Sequence, residues 1–212
     1  MEIEIKNVSK TFHKQEVLKN VNIKLEEGKI YGFVGHNGSG KSVLLKIICG
    51  FYEPTSGEVL FDGINIIKKN MFPPDTRALI EKPTFLPDLT GFENLKLLAE
   101  IQNKIGKKEI EETLDKVGLL QEKNKIYHKY SLGMKQKLGI AQAIMEDTKI
   151  IILDEPFNGL DESSAKKIRE ILLEEKKKNK IIVLATHIKE DISVLCDEVY
   201  KFNNGEVKKI EL

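Results

Sequence analysis

Gly35-His36-Asn37-Gly38-Ser39-Gly40-Lys41-Ser42 is the stretch that decides the fold. It matches the phosphate-binding pattern G-x-x-x-x-G-K-[ST] at every position. Its glycines let backbone N–H groups wrap around phosphate oxygens, because a residue without Cβ reaches angles that other residues avoid. A buried strand is predicted at 29–34 and a helix at 42–49, whose positive N-terminus would face the same anion. This context favours a phosphate-binding loop (P-loop) over a chance glycine-rich turn.

The last two residues of this stretch carry chemistry of their own. Lys41 is placed to reach the β- and γ-phosphates of a nucleotide, and the Ser42 hydroxyl is placed to bind Mg²⁺. The pattern therefore predicts a site for a triphosphate together with its magnesium ion.

Charge, cysteine usage and hydropathy exclude several classes of protein. The 212 residues carry 34 basic and 33 acidic side chains, which suits one domain and argues against a basic face for nucleic acid. Cys49 and Cys196 are expected to be reduced and buried in a cytosolic protein. No apolar run approaches the roughly 18 residues that cross a bilayer, and the start lacks a signal-peptide core. If the protein works at a membrane, we expect another chain to cross it.

The N-terminal part alternates between apolar and polar residues. The segments 2–5 and 17–25 are predicted to be antiparallel strands with one wet face. Ser9–Lys14 between them is predicted to be a loop that carries Phe12. This ring could stack on a purine base, worth about 1–3 kcal/mol, or it could be an ordinary half-buried loop residue.

The middle of the chain is predicted to be helical. A short strand at 77–80 leads into a proline-containing, exposed connector at 81–89. Helices follow at about 91–103 and 107–118, and then a polar loop at 121–130. We expect this part, about 86–143, to form a helical lobe inserted between strands of the sheet.

A helix that continues to about Met145 begins near Ser131. Ser131 fits a helix N-cap. That interpretation does not explain Gly133, because glycine weakens the first turn of a helix. The alternative is a second helix N-terminus that faces an anion.

Ile150–Asp154 is a continuous apolar run that ends in two acids, Asp154 and Glu155. Such a run is typical of a strand buried on both faces of a parallel sheet, and ligands bind at the carboxyl ends of such strands. Asp154 can hold Mg²⁺, and Glu155 can take a proton from water that attacks the γ-phosphate. A polar strand end without function is the weaker alternative.

Two further residues have both a structural and a functional interpretation. A helix is predicted at 162–178, and Asp161 before it suits a plain N-cap. A buried strand is predicted at 181–187 and would end in His187, where a histidine is more often structural. Because His187 shares the sheet edge with Asp154 and Glu155, we favour a contact with the γ-phosphate.

Strands, helices and motifs in this order resemble the nucleotide-binding subunit of an ATP-binding cassette (ABC) transporter, essentially over the whole chain. Ser131–Gln136 resembles the signature sequence of that family, Asn158–Asp161 its D-loop and His187 its switch histidine. Phe12 falls where the family places an adenine-stacking aromatic ring.

The resemblance implies an α/β fold: a P-loop NTPase (RecA-like) core with an antiparallel β subdomain and an inserted helical lobe. It implies one domain, residues 1–212, with its core at about 1–85 and 144–212 and its lobe at about 86–143.

The resemblance also implies ATP hydrolysis with Mg²⁺ between two such domains that close head to tail around two ATP molecules. The implied catalytic residues are Glu155, His187, Lys41 and Glu81. The implied ATP-binding residues are Phe12, Gly35, His36, Asn37, Gly38, Ser39, Gly40, Lys41, Ser42 and Val43. The implied metal ligands are Ser42, Glu81 and Asp154, and the residues implied to act in trans are Ser131, Gly133 and Asp161.

The signature departs from the family pattern Leu-Ser-Gly-Gly-Gln. Tyr130, Leu132 and Met134 replace the first Leu, one Gly and the Gln, whereas Ser131 and Gly133 remain. The two residues expected to contact the other subunit's nucleotide are therefore kept.

The family's Q-loop glutamine corresponds to Glu81. A carboxylate can still bind Mg²⁺ and orient water, but it adds negative charge beside the γ-phosphate. We therefore keep Glu81 among the expected site residues.

The stretches 130–136 and 83–90 look most like the bacitracin- and lantibiotic-type exporters of bacteria. This implies a separate membrane permease docked near 81–90 and a peripheral place for this chain on the cytoplasmic face of the membrane. The chain itself is implied to form a homodimer or to pair with another ABC subunit. The implied cargo is an antimicrobial peptide or a similar compound, with no nucleic acid involved.

Two other functions stay open on the sequence. A soluble ABC ATPase would act on a cytosolic partner, although such proteins often carry tandem cassettes or long insertions, which this chain does not show. A P-loop kinase would phosphorylate a small molecule and would not need the Ser131–Gly133 stretch.

Overall fold

The computed structural model of the protein describes residues 1 to 211. Its strands are β1 (Glu2–Phe12), β2 (Gln15–Glu26), β3 (Lys29–Val34), β4 (Ser56–Phe61), β5 (Ile64–Asn65), β6 (Thr76–Leu79), β7 (Ile150–Asp154), β8 (Ile181–Ala185), β9 (Glu198–Asn203) and β10 (Glu206–Ile210). Its α-helices are α1 (Lys41–Ile48), α2 (Gly91–Gln102), α3 (Lys107–Lys116), α4 (Leu132–Ile144), α5 (Glu162–Lys177) and α6 (Lys189–Leu195).

The central sheet has the strand order β10-β9-β3-β8-β7-β6. Its neighbouring strands are parallel except for the β9–β10 hairpin. The strands β3, β7 and β8 therefore end at the same edge, where the P-loop, the Asp154-Glu155 pair and His187 follow them. Ligands bind at this edge in open α/β sheets, so the topology collects the predicted catalytic residues there.

Strand β7 alternates between two hydrophobic cores, one on each face of the sheet. Ile151 and Leu153 belong to a core shared with α2, α3, α4 and α5. Ile150 and Ile152 belong to a core shared with α1 and the antiparallel sheet. Every residue of β7 is buried, which confirms the prediction from its unbroken apolar run.

A second, antiparallel sheet has the order β2-β1-β4-β5. The predicted loop at Ser9–Lys14 is wrong: β1 continues to Phe12, which pairs with Gln15, so the turn is only His13 and Lys14. His13 adopts the left-handed conformation that closes so short a turn (φ 49°). Register shifts along β1 keep the strand paired where its alternation breaks, and this is why sequence periodicity missed it.

Two other expectations need correction. The polar loop at 121–130 contains two 3₁₀ turns, 120–122 and 127–129, and its two tyrosines, Tyr127 and Tyr130, are buried in the helical core. Strand β8 ends at Ala185, so His187 lies on the loop beyond it, where the Ile188 N–H is bonded to the Thr186 hydroxyl at 3.1 Å.

The two cysteines are buried and unpaired, as predicted. Burial raises the pKa of each thiol, Cys49 and Cys196, to about 12. In residues 1–211 no helix is both long and apolar enough to cross a membrane.

Candidate active site

The P-loop leaves the first turn of α1 open to an anion. Gly40 occupies the N-cap position at φ 107°, and no side chain caps the helix. A Cβ at Gly40 would lie 2.9 Å from the Val17 carbonyl oxygen, so only glycine fits. The N–H groups of the first turn are left for a ligand, which is the geometry that binds phosphate.

The side chains inside the loop also fit a phosphate group. Lys41 Nζ donates to the carbonyl oxygens of Gly35 (2.8 Å) and His36 (3.3 Å), so its charge is folded over the loop. The Ser39 hydroxyl is buried and has no hydrogen-bond partner among the described residues. A cation and a buried hydroxyl therefore face a cradle lined by backbone N–H groups.

Asp154 meets the end of the P-loop. Ser42 Oγ donates to Asp154 Oδ2 at 2.6 Å. Burial raises the pKa of Asp154, the Ser42 hydrogen bond opposes this, and the negative charge of Glu155 adds to it. A cation at this place would relieve both effects, so the pair fits Mg²⁺.

The protein offers few oxygen ligands of its own for that ion. No group of three His, Cys, Asp or Glu side chains with metal-site geometry occurs in residues 1–211. Mg²⁺ is usually held by one or two carboxylates together with phosphate oxygens and water, and Asp154 can supply one such carboxylate.

Glu155 and His187 form the second pair at this edge. His187 Nδ1 lies 2.9 and 3.0 Å from the two carboxylate oxygens of Glu155. The Glu155 N–H donates to the Ala185 carbonyl (2.8 Å), which continues the β7–β8 ladder by one bond. Glu155 has φ 49°, a left-handed conformation that non-glycine residues rarely adopt outside special sites. The Glu155 carboxylate can therefore accept a proton from a water molecule, and the His187 imidazole can orient that carboxylate.

Glu81 is held by a lysine that the sequence analysis did not single out. Lys46 Nζ lies 2.5 Å from Glu81 Oε1, and this contact raises the pKa of Lys46. Lys46 is four residues after Ser42, which places both on the same face of α1. This i, i+4 spacing could have indicated from the sequence that Lys46 faces the site. The ion pair offsets the extra charge that Glu81 brings to the site.

Part of this set lines one cleft of about 460 Å³, whereas Gly35, His36, Ser39, Lys46 and His187 lie outside its described lining. The predicted residues that it brings together are Asn37, Gly38, Gly40, Lys41, Ser42, Val43, Glu81, Asp154 and Glu155. It is also lined by five residues to which the sequence analysis gave no role of their own: Val17 and Lys82, together with Leu132 and Gln136 of the signature-like stretch and Asn158 of the D-loop. Its described lining contains none of the residues expected to act in trans.

Comparisons with known proteins agree with this geometry. The ABC transporter family profile matches residues 18–158. An uncharacterized ABC transporter ATP-binding protein of Bacillus subtilis, YybJ, is 40% identical over 99% of this chain and 96% of its own length. The chain belongs to the ABC transporter family.

Other relatives in this family carry functional names. The bacitracin transport ATP-binding protein BcrA of Enterococcus faecalis is 38% identical over 97% of this chain and 67% of its own length. The lantibiotic transport ATP-binding protein SrtF of Streptococcus pyogenes is 33% identical over 97% of this chain and 88% of its own length.

A solved structure, the dimeric post-hydrolysis state of the ATP-binding cassette MJ0796 with ADP and Pi, superposes with a TM-score of 0.88. It is 26% identical and covers 99% of each chain. The chain is thus an ABC ATPase with the predicted P-loop fold.

Two of the three residues expected to act in trans in this ABC ATPase, Ser131 and Asp161, are helix N-caps, whereas Gly133 lies in the first turn of α4. Ser131 Oγ accepts a hydrogen bond from the Met134 N–H (3.2 Å), and Asp161 accepts one from the Ser164 N–H (2.9 Å). Hydrogen bonds from Ser163 and Ser164 hold the pKa of Asp161 well below its usual range. The N-cap interpretation is confirmed for both, and their action on a second nucleotide stays a prediction.

Phe12 lies outside the described lining of the cleft. Its ring packs edge to face on Tyr52 (centroids 5.4 Å apart), with Lys10 Nζ 4.9 Å from its centroid. Tyr52 and Lys10 therefore both contact the Phe12 ring, and the stacking of this ring on adenine remains a prediction.

Proposed function

We propose that this chain is the ATP-hydrolysing subunit of a transporter, in which two such subunits close head to tail around two ATP molecules and drive a separate membrane permease. One observation carries the proposal. The Ser42–Asp154 and Glu155–His187 pairs lie side by side at the carboxyl edge of the sheet, next to a P-loop that faces the same cleft.

The side chains divide the reaction between them. Ser42, Asp154 and Glu81 would hold Mg²⁺, which neutralises charge on the β- and γ-phosphate oxygens. Lys41 turns from the loop carbonyls to those oxygens. Glu155 accepts the proton of the attacking water, and general base catalysis of this kind contributes about 10²–10⁴ in rate. His187 orients that carboxylate and contacts the γ-phosphate.

The remaining phosphate contacts come from a second chain. Ser131 and Gly133 of one subunit face the γ-phosphate bound by the other, and Asp161 lies beside them. The Ser131 hydroxyl has the capacity for both roles, because it accepts the Met134 N–H and can still donate its own proton. The dimeric arrangement of the MJ0796 cassette supports this assembly.

The permease docks, in this proposal, at the connector 81–90, which borders a groove between the sheet and α2 that also exposes Leu86 and Leu97. The domain is single, with its helical lobe at about 86–143, and it sits on the cytoplasmic face of the membrane. The names of BcrA and SrtF support an antimicrobial peptide or similar compound as the cargo.

The test is purification of the tagged chain from detergent-solubilised membranes of the cell that encodes it. We expect one permease to co-purify in stoichiometric amount and to change the ATPase rate. An Asp88→Lys, Leu86→Asp variant of the connector should lose the permease but keep basal ATP hydrolysis. Recovery of a cytosolic partner in place of a permease would favour the soluble ABC ATPase instead.

A further inference from the structure

Gln136 lies in the second turn of α4, and its side chain reaches the segment that carries the catalytic base. Its Nε2 donates to the carbonyl oxygens of Glu155 (3.2 Å) and Pro156 (3.0 Å). The residue is only 5% exposed. Both carbonyls follow the last residue of β7, so one amide group fixes the backbone on either side of the Glu155–Pro156 bond.

The first turn of α4 makes a second contact, with the D-loop. A Cβ at Gly159 would lie 2.7 Å from Leu132 Cδ2, and a Cβ at Gly133 would lie 2.9 Å from the Gly159 carbonyl oxygen. Leu132 therefore covers Gly159 with no space for a side chain between them. The packing gives Gly133 a structural reason within its own chain, in addition to the phosphate contact expected in trans.

These contacts make the start of α4 and the 155–160 segment one unit. Glu155 needs such support, because its left-handed backbone is unfavourable for a residue with a Cβ. The amide of Gln136 holds that backbone from the α4 side, and His187 holds the carboxylate from the other.

We propose that Gln136 is a positioning residue that couples the two ATP sites of the dimer. A nucleotide of the partner subunit that contacts Ser131 and Gly133 shifts the first turn of α4. Through Gln136 and the Leu132–Gly159 contact, this shift sets the backbone of Glu155 in the chain's own site. In each subunit, the nucleotide bound by the partner's P-loop thereby affects the position of Glu155 in the subunit's own ATP site. The inference rests on the proposed dimer.

The decisive variant is Gln136→Met, which keeps the volume and removes both donated hydrogen bonds. We expect kcat for ATP to fall roughly tenfold, since a general base loses its position, while KM changes less than about twofold. We also expect the Hill coefficient for ATP to fall from above 1 to 1. Gln142→Met, the same change further along α4, is the matched control and should leave all three values unchanged.

Leu132→Ala is the second variant, because Leu132 is 63% exposed and its truncation is expected to leave the fold intact. It should lower the Hill coefficient with a smaller loss of kcat. Unchanged Hill coefficients in both variants, or a wild-type coefficient of 1, would overturn the coupling.

ATP-dependent dimer formation by Glu155→Gln, with and without Gln136→Met, separates the two proposals. Dimers in both proteins are expected. If the single variant Glu155→Gln forms no dimers, the proposed function is refuted. If dimers form but Gln136→Met has unaltered kinetics, only the coupling is refuted.

Discussion

The P-loop and the start of α4 are both glycine-containing turns that open a helix, yet they treat the helix N-terminus in opposite ways. At α1 the N-cap is Gly40, and no side chain occupies the first-turn N–H groups. At α4 the N-cap is Ser131, whose hydroxyl already accepts the Met134 N–H. The first terminus is ready for a phosphate by itself, whereas the second can offer only its remaining hydroxyl proton and exposed backbone.

In the proposed dimer, this difference explains why one half of the site is complete in a single chain and the other half is not. The P-loop faces the cleft together with Asp154 and Glu155. Ser131 and Gly133 lie outside the described lining of that cleft, and they become phosphate ligands only if a second chain brings its own P-loop to them.

The largest effect on ATPase activity should come from the half of the site that one chain completes, with the P-loop, Asp154 and Glu155. Glu155→Gln removes the proton acceptor and keeps the shape, so kcat should fall by about 10²–10⁴. Affinity for ATP should stay within a few-fold of wild type, measured by equilibrium binding of a fluorescent ATP analogue. Normal turnover in the variant would remove Glu155 from its role.

The next effect concerns the capped helix. Ser131→Asp keeps an N-cap oxygen but replaces the donated proton with a negative charge. ATPase activity should fall about a hundredfold, as when one donor to a developing charge is lost, with the melting temperature unchanged. Ser131→Asn, also a good cap but uncharged, is the control and should lose less. Equal, full activity in both variants would restrict Ser131 to capping.

Glu81 should give a smaller effect. Glu81→Ala removes a proposed metal ligand and leaves Lys46 without its partner, so activity should fall roughly tenfold and need more Mg²⁺. Glu81→Gln restores the oxygen ligand usual in the family and should retain most of the activity. The Mg²⁺ dependence of the ATPase rate measures both. If neither variant differs from wild type, Glu81 is not part of the site.

The smallest effect should be on stability at the start of α5. Hydrogen bonds from two serines lower the pKa of Asp161, so its charged form stabilises the folded state above the unfolded pKa of about 3.9. This contribution is lost as the pH falls through the lower folded pKa. The melting temperature of wild type should exceed that of Asp161→Ala at pH 5 to 8, and the gap should narrow below pH 4. A difference in melting temperature that does not change with pH would contradict this stabilising role of the Asp161 charge.

The sequence predicted the parts of this molecule that depend on local pattern. The P-loop, the buried strand before Asp154, and the caps Ser131 and Asp161 follow from spacing and residue type over a few positions. The strand order could not be read directly from spacing, and the family resemblance supplied the fold.

What escaped prediction depends on contacts between distant segments. The turn at His13 was predicted as a longer loop, Ser9–Lys14, because register shifts in β1 hide the alternation of that strand. Gln136 was missed because its partner Glu155 lies 19 residues away, which no short pattern records. The partner of Lys46, Glu81, lies 35 residues away, and only the i, i+4 spacing from Ser42 could have indicated that Lys46 faces the site. Leu132 stood out only as a departure from the family signature, and its reason, the bare backbone of Gly159, exists only in the folded chain.

The central claim is that each ATP is held by two chains. The most direct measurement is the molar mass of Glu155→Gln by light scattering, with ATP and Mg²⁺, beside the same protein carrying Ser131→Asp as well. The account predicts a dimer for the first protein and a monomer for the second, with equal ATP bound per P-loop in the binding assay. A monomer in both cases, at saturating ATP, would contradict it.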